Sequence, residues 1–402
     1  MMEDLKQHNG HMEDLPHLCF VAHALGNSSE VWLWRQLFGF KNLSPHVITW
    51  EYVNRENFKI KEMPVNILGF PPRGAEVEGV GRWLYRLRNL YRFNFYGSLG
   101  AERLAIKNCL IRWKPKVMLC QTGHTALKML PITRDLNIPL VAHFHGADVS
   151  SALQNRWYRW SLLCWLKKFS AIVVVGSHQK QWMLEHGIPE NKIHLIPCGV
   201  PTCEFVYTNN KPKKDFVRFL AVSRLVEKKG LEYSIRAFSL VKEKLPSVKL
   251  DIFGEGPLEN KLEEQVNSMG LADSVGFMGS VSPDCIREEM ALSDVFLQHS
   301  VVASSGDTEG FGVSIAEASA SGLPLVCSNA TGIIDQVIDG KTGFLVEQED
   351  YKSMAERMLQ LACDAELRQK MGQEGRKRMI EHFDTKEQIT KLEDVLLNCI
   401  KH

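Results

Sequence analysis

The 402-residue sequence holds no Cys-x-x-Cys pair, no long apolar run and almost no charge excess of either sign. Each absence excludes a class. Ten cysteines are scattered at 19, 109, 120, 164, 198, 203, 285, 327, 363 and 399. Lacking paired spacing, and with several inside apolar runs such as VMLCQ, they read as buried free thiols of a reducing compartment, not as a zinc site or a disulfide framework. No stretch approaches the roughly 18 uninterrupted apolar residues of a spanning helix. The start, MMEDLKQHNGHMEDL, is polar and has no signal-peptide core, so a cytoplasmic location is expected. Lysine and arginine number 48 against 47 aspartates and glutamates, a formal charge of +1. That balance argues against binding nucleic acid through bulk electrostatics, while local basic patches remain open.

What is present is the composition of a globular protein, 45% hydrophobic and 24% charged. The length exceeds one ordinary core and suits two domains of roughly 150 to 200 residues. Short apolar runs recur between polar or Gly/Pro punctuation: LCFVAH (18–23), HVITW (46–50), VNILGF (65–70), KVMLCQ (116–121), PLVAHFHG (139–146), AIVVVGS (171–177) and IHLIPCGV (193–200). Segments of helical period, such as SSEVWLWRQLFGF and HQKQWMLEHG, lie between most of them. Continuous apolar strands alternating with helices predict a parallel sheet covered on both faces. The polar stretch PTCEFVYTNNKPKKD (201–215) interrupts this rhythm as a linker. The pattern then restarts with VRFLAVSR (217–224), VKLDIFGEG (248–256), SVGFMGSV (274–281), DVFLQHS (294–300), PLVCSN (324–329) and GFLVE (343–347). Two doubly wound α/β domains facing a cleft are expected, over 16–205 and 206–383, with the helix-prone end 384–402 free to cross back to the first. Ligands of such sheets bind outside the carboxyl ends of the strands.

Most polar motifs fall at those ends. Arg224 and Lys229 follow the strand VRFLAV beside a helix start, where an Arg fork, a Lys point charge and backbone donors can hold one diphosphate. The alternative is a solvated basic loop. GEGP (254–257) and GSV (279–281) put glycine where strands end, admitting either a ligand or an ordinary turn. In GDTEGFGVSIAEASASGLP (306–324), Gly310 and Gly312 leave room at the start of a helix for amides to meet phosphate oxygens. Glu317 falls just over a turn into that helix and Glu309 in the loop before it, so the two cannot share one helical face. Alternatively, Glu317 complements the helix dipole and Glu309 is a solvated loop residue.

In the first half, AHFHGAD (142–148) closes a strand with His143, His145 and Asp148. The His-x-His spacing has no carboxylate or cysteine at ligand spacing, so a histidine facing a substrate hydroxyl or phosphate is expected in place of a metal site. His23, His124 and the turn GNSSE (26–30) lie at other strand ends and can line the same wall. GRWLYRLRNLYRF (81–93), laid on a helix, places Arg82, Arg86, Arg88 and Arg92 on one arc opposite Trp83, Leu84, Leu87, Leu90 and Tyr91. That pattern suits an anionic membrane surface or a core-facing helix with a solvated basic back. NRWYRWSLLCWLKKF (155–169) repeats the chemistry and tilts the expectation towards peripheral contact with anionic lipid.

Taken together, these residues resemble the retaining glycosyltransferases of the GT-B fold, the group-one (family-four) class. The resemblance covers nearly the whole chain and is most specific over 217–347, where SRLVEKKG, FGEGP, the Glu309/Glu317 pair and DGKTGFLV occur in the family's order. The loop after VMLCQ, FHGAD and GDTEGFGVSIAEA are similar to colanic-acid and other exopolysaccharide or capsule transferases. The resemblance implies a sugar transferred from a UDP- or GDP-sugar to a glycan or lipid-linked acceptor, with no obligatory cofactor or metal. It implies Arg224 and Lys229 on the donor diphosphate, Glu317 on the ribose, and Glu309 with Gly310, Phe311, Gly312, Val313 and Ser314 on the sugar and phosphate. His145 would stand near the reacting sugar, Gly26 and Asn27 near the phosphates, Gly254 at the donor, and Val281 beside the base. His23, His124 and Asp148 are acceptor-side candidates. Two departures stand out: ATGIIDQV has Ile334 and Asp335 where the family commonly has proline and glutamate, and HALGNSSE lacks a frequent Gly-Gly pair. A catalytically silent partner subunit at the membrane is the competing reading, disfavoured by the presence of Arg224, Lys229, Glu309 and Glu317.

Overall fold

The computed structural model describes residues 15–27, 30–56, 60, 63–69, 96–98, 100–207 and 215–401. The segment 81–93, with Arg82, Arg86, Arg88 and Arg92, lies outside them. The described chain divides into two compact units. The first comprises residues up to Val175, Gln179–Ile196 and the segment from Lys386; the second comprises Gly176–His178 and Pro197–Thr385.

The first unit is built on a seven-stranded sheet of β1 (His17–Leu25), β2 (Ser44–Tyr52), β3 (Val65–Ile67), β4 (Val117–Cys120), β5 (Leu140–Phe144), β6 (Ala171–Val174) and β7 (Ile193–Leu195). Its order is β3-β2-β1-β4-β5-β6-β7, and every neighbouring pair is parallel. Helices α1 (Val31–Gly39), α2 (Gly100–Trp113), α3 (Gly123–Asp135), α4 (Arg156–Trp165) and α5 (Ser177–Glu185) form the connections. The central strands β4, β5 and β6 are buried at every residue, as the unbroken apolar runs require of a sheet covered on both faces.

The second unit holds a six-stranded sheet of β8 (Val217–Val222), β9 (Val248–Phe253), β10 (Val275–Phe277), β11 (Val295–Gln298), β12 (Leu325–Ser328) and β13 (Gly343–Val346). Its order is β10-β9-β8-β11-β12-β13, again parallel throughout. Helices α6 (Leu231–Lys244), α7 (Glu259–Ser268), α8 (Pro283–Leu292), α9 (Val313–Ala320), α10 (Tyr351–Cys363) and α11 (Ala365–His382) cover it. Each unit therefore has the doubly wound, Rossmann-like architecture that the alternating runs predict.

Part of the expected linker is packed structure: Thr202 and Phe205 are buried in the second unit, and the Thr202 hydroxyl donates to Asp384 at 2.5 Å. Residues 208–214 lie outside the described set. The thiols divide differently from expectation. Cys19, Cys109, Cys120, Cys198 and Cys327 are buried, whereas Cys164, Cys203 and Cys363 are exposed because they occupy helix or turn positions facing solvent. Burial pushes the Cys327 thiol up to about 12.

The last helix, α12 (Thr385–Lys401), belongs to the first unit, where Leu392, Val395 and Leu396 join the cluster of Leu18, Phe20, Leu33 and Leu37. Its polar anchor is Glu393. This buried carboxylate accepts from the amides of Lys41 and Asn42 at 2.8 and 2.6 Å and from the Asn42 side chain at 3.0 Å. Glu393→Ala leaves those donors without their charged acceptor and should destabilise the first unit by about 3 kcal/mol in urea unfolding. A loss well under about 1 kcal/mol would show that apolar contacts alone seat the helix.

Candidate functional site

In the second unit, the carboxyl ends of β8 and β11 bring cations and a carboxylate together. Beyond β8 the chain passes exposed Arg224, then forms a single turn, Glu227–Lys229, before α6. Beyond β11 it forms the loop that leads to α9. Because β8 and β11 are paired neighbours, Lys229 meets Glu309: the ammonium lies 2.5 Å from Glu309 Oε2, and both residues are buried, at 9% and 7% exposure. The solvated-loop alternative therefore fails for both, while Arg224 keeps an exposed side chain.

The pair is embedded in further polar contacts. Gln298, the last residue of β11, donates to Glu309 Oε2 at 3.1 Å and to the Ser300 hydroxyl at 2.9 Å, and accepts from the Ser314 hydroxyl at 3.1 Å. The Glu309 carbonyl accepts from Thr331 Oγ1 at 2.9 Å and from the Gly332 amide at 3.1 Å. Lys228 reaches Asp307 at 3.0 Å and the Thr308 carbonyl at 3.3 Å, bracing the same loop. Burial pushes the Glu309 pKa up, but Lys229, Lys228 and Arg224 together with the Lys229 hydrogen bond outweigh it and hold the group below the ordinary glutamate range.

Helix α9 starts immediately after this pair. Gly312 is its N-cap in the left-handed region at φ 73°, and among the described residues no side chain caps the helix. The first-turn amides of α9 thus begin beside Glu309, where the helix dipole favours an anion. Val313 and Ser314 open the helix, and Glu317, half-buried, is its fifth residue. Gly310 is buried in the loop. Phe311 is buried too and its ring lies 5.8 Å from that of Phe383, so its side chain belongs to the core and only its backbone is available to a ligand. Gly254 ends β9 at φ 127°, and a Cβ there would collide with the Ser223 carbonyl, so packing between strand-end loops already demands glycine. Val281 is half-buried in the turn after β10, just ahead of the cap of α8.

The first unit gathers a second polar cluster at the ends of β4 and β5. His145 follows β5 and is half-buried, with its ring 4.0 Å from those of Trp32 and His143. Its Nε2 lies 3.0 Å from Gln121 Oε1, and Gln121 donates to Gln36 at 3.0 Å. Burial and the neighbouring His143 lower the His145 pKa well below the ordinary value, so the imidazole is neutral at pH 7. His143 is fully buried, with neither ring nitrogen hydrogen-bonded among the described residues, and burial lowers its pKa to about 3. Among the described residues no group of three or more His, Cys, Asp or Glu side chains is spaced to hold a metal ion.

Asp148 binds backbone amides of its own unit. It is buried and accepts from the amides of Gly123 at 2.9 Å and His145 at 3.1 Å, which makes it the staple that fixes the loop carrying His145. Burial raises its pKa to about 6 despite those two amides. His23 lies inside β1, two residues before its end, and is exposed beside Trp50, 6.0 Å between rings. His124 opens α3 and stacks on Tyr158 at 4.0 Å. Gly26 takes φ 87°, its carbonyl accepting from Asn54 at 2.9 Å, and Asn27 donates to Glu30 at 3.0 Å ahead of α1.

Comparison with known proteins places the chain in a family. Residues 207–378 match the model described as glycosyl transferases group 1, and residues 61–204 match that of glycosyltransferase family 4. The chain belongs to the group 1, family 4 glycosyltransferases. WcaL of Escherichia coli (strain K12), named for colanic acid biosynthesis, is 29% identical over 239 residues, 59% of this chain and 58% of WcaL. The GDP-mannose-dependent alpha-(1-6)-phosphatidylinositol monomannoside mannosyltransferase of Mycolicibacterium smegmatis is 30% identical over 217 residues, 52% of this chain and 57% of that one. The chain thus spans less than two thirds of the length of these curated relatives. The crystal structure of Anabaena HepE in complex with UDP superposes with a TM-score of 0.75 at 16% identity, covering 96% of this chain and 100% of HepE, and establishes the shared GT-B fold.

The Lys229–Glu309 pair generates a direct test. Lys229→Ala strands a buried carboxylate and should cost about 3–5 kcal/mol, whereas Lys229→Met combined with Glu309→Gln should recover most of that loss. Glu309, with its pKa depressed in the folded state, contributes stability above its unfolded value that is lost as pH falls through the folded one. The Glu309→Gln background should therefore flatten the acid limb of stability below about pH 4.5. Equal stability of Lys229→Ala and wild type at pH 7 would mean that the pair is not the buried contact described.

Proposed function

We propose that the chain is a retaining glycosyltransferase that moves a hexosyl group from a UDP- or GDP-sugar to a glycan or lipid-linked acceptor in exopolysaccharide, capsule or glycolipid biosynthesis. The observation that carries this reading is the buried Lys229–Glu309 pair at the uncapped start of α9, with Arg224 exposed alongside. Arg224, Lys229 and the first-turn amides would stabilise charge as it develops on the leaving diphosphate. Glu317 would hold the ribose, Glu309 and the backbone of Gly310 to Ser314 the sugar and phosphate, and Val281 would lie beside the base. In the first unit, neutral His145 would bond a hydroxyl of the reacting sugar, Gly26 and Asn27 would lie near the phosphates, and His23 and His124 would serve the acceptor.

Glu309 is committed to Lys229 and Gln298, which supports a role in positioning over one in acid–base exchange. Glu309 and Glu317 would therefore not act as the two-carboxylate pair of a glycosidase. The reaction is read as front-face attack with retention, the leaving phosphate taking the acceptor proton, without an obligatory metal. Relatives named for colanic acid and for a phosphatidylinositol mannoside support saccharide or glycolipid acceptors. An acceptor at a membrane agrees with a cytoplasmic protein bound peripherally at the inner face. Among the described residues no helix is long and apolar enough to cross a membrane.

Incubating the chain with a panel of UDP- and GDP-sugars without acceptor should release nucleotide slowly from one of them. Glu317→Ala should weaken binding of that donor at least tenfold, about 1.4 kcal/mol, with an unchanged melting temperature. Absence of both binding and nucleotide release across the panel would remove the donor site.

A further inference from the structure

The single turn Glu227–Lys229 grips the loop after β11 with three consecutive side chains. Glu227 accepts from the amide and the hydroxyl of Ser304, both at 2.8 Å. Lys228 pairs with Asp307 at 3.0 Å and donates to the Thr308 carbonyl at 3.3 Å. Lys229 takes Glu309, the residue after Thr308. Between these contacts the loop closes on itself: the Ala303 amide donates to the Asp307 carbonyl at 3.0 Å, and the Gly306 amide to the Ala303 carbonyl at 2.7 Å. The Val301 amide donates to the Lys228 carbonyl at 2.9 Å, so Lys228 holds the loop through both backbone and side chain.

The adjacent lysines do different things. Lys229 bonds the Glu309 carboxylate itself, whereas Lys228 bonds the chain that carries it. Exposed ion pairs fix little, because water competes for both partners. The Lys228 and Asp307 side chains are only 13% and 26% exposed, against 65% and 50% for the surface pair Lys377–Glu381. Asp307 Oδ1 is buried with no hydrogen-bond partner among the described residues, so the carboxylate depends on Lys228. Removing that cation leaves a shielded charge whose cheapest recourse is water, reached by opening the loop. Opening at Asp307 and Thr308 displaces Glu309, the next residue along. On the proposed function, a donor diphosphate competes with Glu309 for the Lys229 ammonium. The Lys228 contacts to Asp307 and Thr308 involve neither group and persist.

We infer that Lys228 is a positioning residue for the transfer: paired with Asp307, it keeps the loop carrying Glu309 in place while Lys229 engages the donor diphosphate. The inference rests on the donor site of the proposed function and adds to it a division of labour between neighbouring lysines.

Two measurements on the full chain test it, the first independent of turnover. In hydrogen–deuterium exchange, Lys228→Met should speed exchange across 301–310 by about tenfold, with β11 unchanged, because the loop opens locally and the sheet does not. Asp307→Asn should act in the same direction and serves if Lys228→Met fails to fold. Lys228→Met with Asp307→Asn should exchange no faster than the faster single variant, the signature of two residues sharing one contact. Lys228→Arg, which keeps a cation with several donors, should restore slow exchange. In the second measurement, nucleotide release from the UDP- or GDP-sugar that wild type accepts, Lys228→Met should lower the maximal rate about tenfold and leave KM within about twofold, with recovery in Lys228→Arg. Wild-type exchange in Lys228→Met would overturn the proposal. So would faster exchange with an unchanged maximal rate, or a raised KM alone, which would make Lys228 a donor ligand. A wild type that releases no nucleotide from any donor would count against the transferase reading, while the exchange comparison still decides whether Lys228 holds the loop.

Discussion

Two parallel strands can be joined only by a crossover that returns the chain to the same end of the sheet. The sheets of both units consist wholly of such pairs, and the placement of both strand-end polar clusters follows from that constraint. Lys229 and Glu309 are separated by 80 residues and meet because β8 and β11 are neighbours. Gln121 and His145 meet because β4 and β5 are neighbours, and Asp148 can bridge Gly123 and His145 for the same reason. Strand order thus converts sequence-distant loops into adjacent side chains at the edge where doubly wound sheets bind their ligands.

A buried ion pair is expensive to desolvate, and its attraction offsets that cost only when the remaining polar atoms are also satisfied. Here Gln298 supplies the extra bond to Glu309 and in turn is held by Ser314, the second residue of α9. The helix start, the loop and β11 are therefore tied into one network. What the network achieves is fixed position: a carboxylate held ionised and oriented by its neighbours.

The strands were legible because each is a short continuous apolar run between breakers, and the central ones are buried on both faces. The helix start at Val313 was legible from its glycines and the apolar residues after it. Pairing was not. That Glu309 spends a carboxylate oxygen on Lys229 depends on β8 lying beside β11, which no local pattern encodes. Gln298 and Gln121 went unnoticed for a related reason: a single amide at the end of a buried strand matches no motif, although a polar residue closing an otherwise apolar run such as VFLQ is itself a signal. The amide contacts of Asp148 were not legible because strand-end polarity looks the same whether a side chain faces a ligand or caps backbone amides. Phe311 stands within the glycine-flanked motif, yet its side chain belongs to the core.

The two clusters differ in charge state, and the difference matches the work proposed for each. In the second unit, Lys229, Lys228 and Arg224 sustain an ionised Glu309 beside a helix start. In the first, desolvation keeps His143 and His145 neutral, and Gln121 fixes the orientation of His145. A neutral imidazole can bond a sugar hydroxyl without attracting counterions or competing for phosphate. Its depressed pKa also holds one protonation state across the neutral range. Any titration of transfer near pH 6.5, the ordinary histidine range, must then arise from a group other than His145.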